Sequence, residues 1–447
     1  MIWIVIFFFI LVGIGIFDYF RIRNFDEFVV AGRKQSEPFV LMSLLATTMG
    51  ASATLGVVNL AYGIGFPAFW WLGAGSIGLI FQAIFLSEKV RAFAGYTLPH
   101  IAKIVSGEEG KLITAIIIAF SWVGIIAAQF VALSEIIAVI TGNPNTLPLL
   151  IVTSLVITLY TTIGGQLSIL KTDALQFLLL AGGLLYSFYY LFFVSPRGSS
   201  VSVFSKIELI NDQFDMTNLA YFLLIVGGSF FIGPDVFSRN FTAKNGKTAR
   251  MATLKAGIFL LFFAILITSI GLWAKELSID TEKTNVFVYV ISNYLPKAAG
   301  IALALGLLAA IISSADTCIL TSAAIIENDI FKGEKIKNTR FFAAVIGIMA
   351  LIIAIFKKDI ISLLLYAYSI FTPGIVCPLF IAIWFYKKRP LNKIIWISAI
   401  ISGGSLGLLS NVLNMKYLAL VGMGLSLILS IYSTSSGKQS RIPAGRK

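Results

Sequence analysis

Histidine and cysteine are almost missing from this chain of 447 residues, which holds one of the first and two of the second. The lone histidine, His100, falls in a predicted loop and leaves no set of imidazoles for a metal site or a proton relay. Cys318 and Cys377 both lie inside apolar stretches, where a thiol packs as a small hydrophobe. Neither a disulfide framework nor a thiolate metal centre is expected from them. Charge is scarce too. Only 12% of the residues are Asp, Glu, Lys or Arg, against about 25% in a soluble globular domain. No basic segment precedes the N-terminal run MIWIVIFFFILVGIGIFDYF, and no clear cleavage site follows it. It reads as a retained first helix and not as a signal peptide.

What fills the chain instead is hydrocarbon. Hydrophobic residues make up 58% of it, in runs of roughly 20 that are long enough to span a bilayer core. The reading is an all-α membrane protein with thirteen transmembrane helices. Their expected spans are 2–20, 38–64, 68–88, 112–140, 147–163, 168–194, 217–237, 253–274, 298–326, 339–356, 359–386, 393–411 and 417–434. They form a single polytopic domain over 1–434, followed by a short polar tail over 435–447. The segment NVFVYVISNYLP, before the ninth span, is expected as a helix at the surface.

The net charge of +13 invites a nucleic-acid reading, but its distribution speaks for topology. With the N-terminus outside and the C-terminus in the cytoplasm, 26 of the 34 Lys and Arg residues fall on the cytoplasmic side and 8 outside. That bias is what orients plasma-membrane proteins. The expected partner of this surface is therefore the lipid bilayer, with no nucleic acid; the sequence sets no oligomeric state.

Two spans look interrupted. The second, VLMSLLATTMGASATLGVVNLAYGIG, gathers Gly50, Ser52, Thr54 and Gly56 near its middle. The seventh, LLIVGGSFFIGPDVFSRNF, holds Gly227, Gly228, Gly233 and Pro234. Small residues in membrane helices serve close packing. Broken helices in corresponding positions of two halves also mark the binding sites of transporters, where freed carbonyls take a cation and a half-helix N-terminus faces an anion.

The ninth span carries the stretch LLAAIISSADTCILTSAA. Helical spacing puts Ala310, Ser313, Ser314 and Thr317 on one small, polar stripe. Hydroxyls and carbonyls suit sodium, a hard monovalent ion that must bind and then leave. The plainer use of such hydroxyls is a bond back to their own helix. Asp316 beside them costs roughly 2.5–3.5 kcal/mol at a membrane helix centre, and less toward the inner mouth, where water could reach it. Asp173, just inside the sixth span, either caps that helix or completes an oxygen site with the hydroxyl stripe.

Three stretches resemble the sodium:solute symporter family. TTIGGQLSILKTDALQ is similar to its Gly-Gly, Thr-Asp, Gln signature. IISSADTCILTSAAIIENDIF is similar to its Ser-Ser-Ala-Asp-Ser pattern. GPDVFSRNFTAKNGKTARMA resembles its Gln-Arg, Ala-Lys, Ala-Arg loop, with Ser238 in place of the glutamine. The resemblance implies a LeuT-like core of two inverted five-helix repeats, spans two to six (38–194) and seven to eleven (217–386), with one extra helix before and two after. It implies Na+ as coupling ion, held by the Ala46, Met49 and Ala310 carbonyls and the Ser313 and Ser314 hydroxyls. Some members have a second cation site, which here would use Asp173, Ser313, Asp316 and Thr317. Asp316 stands where those members have serine, so the second ion could be sodium, a proton or absent.

Ala53, Leu72, Gly75, Val226 and Leu260 occupy the positions that form the polar pocket of the sugar carriers, which disfavours a sugar. The expected solute lining is Ala53, Thr54, Trp70, Trp71, Trp122, Gln129, Ser229, Phe230, Phe231 and Tyr366, although such aromatics are more often packing residues or interface anchors. The solute is expected to be an amino acid or a small carboxylate, taken up with sodium by alternating access. A non-coupled channel or sensor on the same scaffold is the alternative. An enzyme would need convergent catalytic groups, and no metal-ligand spacing or nucleophile–base pair stands in the chain.

Overall fold

Apolar runs of this length have one stable solution in lipid, the helix, which pairs every backbone N–H and C=O within itself. The computed structural model of the chain describes residues 2–93, 95–143, 145–196, 207–278, 285–386 and 388–435. Among the described residues there are only two isolated bridges, Gln35 with Ala243 and Asn211 with Phe214, and no strand. Ten helices are long and apolar enough to cross a membrane, or eleven when one bent pair is taken as a single span. The C-terminal tail from 436 lies outside the described residues.

The helices that matter for the site are few. After α1 (Ile2–Tyr19), the bent pair consists of α2 (Glu37–Thr48) and α3 (Val57–Ile64), joined through a wide π-helical turn, Ser52–Gly56. The two halves diverge by 58°. Next come α4 (Phe69–Phe85), α5 (Glu108–Thr141) and α6 (Thr146–Tyr189). The seventh apolar segment is broken in the middle. Its first part, α7 (216–231), ends at Phe231, Ile232 and Gly233 are extended, and α8 (Pro234–Thr242) restarts on a proline. Proline suits a first turn because the N–H it lacks would have no partner there. Helices α9 (Gly246–Glu276), α10 (Val286–Tyr294) and α11 (Lys297–Ile325) follow. The chain then completes α12 (Ile336–Phe356), α13 (Ile360–Phe385), α14 (Lys393–Val412) and α15 (Lys416–Ser435).

Helix α11 is the axis of the molecule. Every residue from Gly306 to Ile325 is buried, and its largest interface is with α6. Small residues bring the two backbones together: a Cβ at Gly306 would come within 2.8 Å of Leu180 Cα. This is the way membrane helices gain packing without a hydrophobic driving force. Asp316 therefore sits in a protein interior, fully buried, and is not a water-exposed acid at the inner mouth. Helix α10 is the expected NVFVYVISNYLP helix, and five of its nine residues are buried.

Helix α6 runs through a sharp kink at Gly165, with φ 64 and ψ −172. Only glycine adopts that conformation readily, and any other residue there costs about 1–3 kcal/mol. A Cβ would also lie 2.6 Å from Phe28 Cδ2. Beside the kink, Lys171 Nζ binds the buried Asp18 at 2.5 Å and Ser168 donates to the same carboxylate at 3.0 Å, so the end of α1 is tied to it. We expect Gly165→Ala to lower the thermal unfolding midpoint of the purified protein by several degrees. Gly182→Ala, where a Cβ meets nothing within 4 Å, should leave it in place. Equal midpoints for both variants would show that the kink is under no constraint.

Candidate functional site

In a continuous helix the Ala51 N–H would bond to the Thr47 carbonyl, four residues back. The bend after α2 separates them. Each orphan takes a side chain from a different helix: Gln129 Oε1 on α5 accepts the Ala51 N–H at 2.9 Å, and Ser314 Oγ on α11 donates to the Thr47 carbonyl at 2.7 Å. Ser314 also lies 3.1 Å from the Ala310 carbonyl of its own helix. The space between them has no slack, because a Cβ at Gly50 would run into Ser314 Oγ and stand 2.9 Å from Gln129 Oε1. The hydroxyl stripe of α11 thus meets the broken backbone of α2. Ala46 and Met49, also buried, flank the Thr47 contact.

One turn away lies a buried charge network. Asp173 on α6 accepts hydrogen bonds from Ser313 Oγ at 2.5 Å, from Ser43 Oγ and from Arg239 Nη2 at 3.0 Å. Arg239, on α8, is completely buried. It also donates to Ser43 at 2.9 Å, Thr47 Oγ1 at 2.8 Å, Ser238 at 3.2 Å and Thr317 Oγ1. The Thr317 hydroxyl donates to the Ser313 carbonyl at 2.6 Å and lies 3.3 Å from Asp316 Oδ1. The other Asp316 oxygen has no hydrogen-bond partner among the described residues. The four residues expected to hold a second cation are therefore brought together, with a guanidinium among them.

The basic count of the cytoplasmic side includes Arg239, placed by its sequence in the loop after the seventh span at 217–237. The structure corrects this: α8 runs to Thr242, and the arginine belongs to the interior. His100, expected in a loop, lies in a short helix, Leu98–Ser106. Burial, then the Lys111 and Lys103 charges, push its pKa down, so it stays neutral near pH 7.

A small cavity of about 30 Å³ opens beside the broken bond, room for roughly two waters. Its wall includes Thr47, Thr48, Gly50 and Ser52 from the bend, Trp122 and Gln129 from α5, and Ser314 and Cys318 from α11. Ser229 and Phe230 line it before the break in the seventh segment and Asp235 after it, and Tyr368 closes it from α13. Four of the expected solute residues meet here: Trp122, Gln129, Ser229 and Phe230. The others stand apart. Ala53 and Thr54 are buried in the π turn, with Thr54 Oγ1 bonded to the Gly50 carbonyl at 2.9 Å. Trp70 donates to the Leu209 carbonyl at 3.0 Å, Trp71 packs edge-on against Phe222, and Phe231 packs against Phe380. Tyr366 is partly exposed under Lys357, which lies 4.3 Å from its ring centre. Asp235, Arg239 and Tyr368 were missed; the one signal for the first two was a charge of each sign, four residues apart, beside a glycine and proline break.

The fold and these contacts agree with comparisons to known proteins. The profile of the Sodium:solute symporter family matches residues 28–392. The osmoregulated proline transporter of Bacillus subtilis is 22% identical over 84% of this chain and 82% of its own length. The sodium/proline symporter of Haemophilus influenzae is 25% identical over 72% of this chain and 68% of its own. The sodium/glucose cotransporter of Vibrio parahaemolyticus is 22% identical over 84% of this chain and 78% of its own. Among solved structures, a Na+-coupled sialic acid symporter in a substrate-bound outward-open state superposes with a TM-score of 0.79 at 15% identity, covering 96% of each chain. MhsT in complex with L-phenylalanine gives 0.61 at 14% identity, over 90% of this chain and 99% of its own. Both neighbours have the LeuT fold. A matched profile over most of the chain, and oxygen-bearing helices packed around a broken span, place this protein in the sodium:solute symporter family, as a membrane carrier that couples a small solute to sodium.

Proposed function

We propose that sodium binds at the broken bond between α2 and α11, using the Ala46, Met49 and Ala310 carbonyls with Ser313 and Ser314. The observation that carries this is the Ser314 hydroxyl resting on the Thr47 carbonyl at 2.7 Å. Oxygens of two separate helices already converge there, and none of them carries a full charge. An ion entering would take the Ser314 oxygen as a neutral ligand, its O–H turned away from the Thr47 carbonyl, and draw both helices onto itself.

The group Asp173, Ser313, Asp316 and Thr317 reads as a cation site whose cation is the guanidinium of Arg239. It bonds directly to Asp173 and Thr317, and a tethered charge there leaves one sodium per cycle. In proteoliposomes, replacing sodium by potassium should abolish concentrative uptake, and the rate should rise hyperbolically with sodium, without a sigmoidal foot. Ser313→Ala combined with Ser314→Ala should raise the half-saturating sodium concentration about tenfold, in line with the loss of about 1.4 kcal/mol of binding. Uptake indifferent to potassium replacement and to the double substitution would remove the coupling site.

The membrane arrangement follows from length. The apolar helix Thr146–Val194 has 49 residues, about 70 Å at ~1.5 Å per residue, twice a bilayer core. Folded at Gly165 it makes two crossings, and with α1 and the bent pair the total is thirteen. The N-terminus then lies outside the plasma membrane and the C-terminus in the cytoplasm, with repeats over 38–194 and 217–386. The basic bias supports this even with Arg239 withdrawn from the loops. The solute is an amino acid or small carboxylate, held by Trp122, Gln129, Ser229 and Phe230; two of the relatives above are named as proline carriers.

A further inference from the structure

Among the described residues the cavity wall contains a single charged side chain, Asp235. Among the described residues it forms no ion pair. The nearest cation on its own helix, Arg239, is taken up by Asp173, Ser43, Thr47 and Thr317. Asp235 stands in the first turn of α8, where an acid favours the helix dipole. The N-cap of this helix is Gly233, so capping does not account for a carboxylate at membrane depth, where an unpaired charge is costly. Its position is set by the break: a Cβ at Gly233 would lie 2.9 Å from Asp235 Oδ1 and would run into the Ser229 carbonyl. Trp122, Phe230 and Tyr368 share the wall, and their ring faces attract cations.

We propose that Asp235 is the specificity residue for the solute and pairs with an ammonium group, so that the carrier takes amino acids and rejects carboxylates that lack the amine. The inference rests on reading the cavity as the solute site, which at about 30 Å³ must widen to admit an amino acid. It narrows the solute class, since a second carboxylate brought near Asp235 without a counter-charge is repelled. The amine supplies the missing cation, and the carboxylate end of the solute faces the sodium side of the cavity, toward Ser314.

The test measures thermal stabilisation of the purified full chain, in sodium and in potassium. The probes are glycine, L-alanine, L-serine and L-proline against glycolate, L-lactate, glycerate and tetrahydrofuran-2-carboxylate, with ethanolamine against ethylene glycol. In sodium, at least one amino acid should stabilise the protein while its oxygen counterpart does not. Asp235→Asn should weaken that probe at least about tenfold, the scale of losing one charge-assisted contact, and Asp235→Glu should recover part of the loss. Ethanolamine stabilising as well as the amino acids would move the class to simple amines and leave the pairing with Asp235 in place. The inference is overturned if the hydroxy acids stabilise equally, if Asp235→Asn binds the probe unchanged, or if no amine stabilises the protein. Amino-acid stabilisation that is equal in potassium would uphold the ammonium contact and remove sodium coupling, so the two readings fail separately.

Discussion

Arg239→Ala should be the most damaging single substitution in the molecule. It leaves Asp173 buried without its cation and removes the donor to Ser43, Thr47, Ser238 and Thr317 at once. Breaking a buried ion pair from one side costs about 3–5 kcal/mol, because the surviving charge cannot be solvated. We expect loss of uptake and a melting temperature many degrees below that of the wild type. The companion is Arg239→Ala with Asp173→Asn, which removes both charges. The double variant should be more stable than Arg239→Ala alone, since the coupling between contacting charges is not additive. Uptake should not return with it, because the bond that Ser313 donates to residue 173, which orients the hydroxyl stripe, is weakened. If the single and double variants melt together, the pair does not hold the network.

The second large effect is expected at Gly50. Alanine there puts a methyl group against Ser314 Oγ and Gln129 Oε1, the two groups that close the broken bond. Overpacking a tight contact costs about 1–3 kcal/mol. If that falls on the sodium-bound arrangement, it becomes roughly a 5- to 150-fold loss of sodium affinity. Uptake measured against sodium concentration should shift by that factor in Gly50→Ala. Gly63→Ala, at a position with nothing within 4 Å of an added Cβ, should behave as wild type. A normal sodium dependence in Gly50→Ala would mean that the ion binds elsewhere.

These two residues show how far the sequence could be read. Gly50 was legible, because small residues clustered inside an apolar run already signal a break, and the structure bends there by 58°. The hydroxyl stripe was legible from helical periodicity alone. Arg239 was not. An arginine five residues after a proline, near the end of an apolar run, has the same local pattern whether it faces the cytoplasm or the centre of the protein. Only the packing of α8 against α2 and α11 distinguishes the two. Trp70 and Trp71 misled in the opposite sense: large aromatics suggest a solute wall, yet both are anchored at the start of α4 by contacts with Leu209 and Phe222. Kinks are intermediate. Gly164 and Gly165 marked a boundary, but that the helix continues through it depends on Phe28 and Asp18 from elsewhere in the chain.

The helical hydrogen bond missing between the Ala51 N–H and the Thr47 carbonyl leaves two backbone groups to be satisfied from outside the helix. Its two halves are served by opposite sides of the protein, the N–H by Gln129 and the carbonyl by Ser314. Any rocking that parts α11 from α2 strips the buried carbonyl of its donor. A carrier that loses this contact must satisfy the Thr47 carbonyl with water, because an unpaired buried acceptor is costly. The same flaw in the helix therefore serves as a latch that holds α11 against α2.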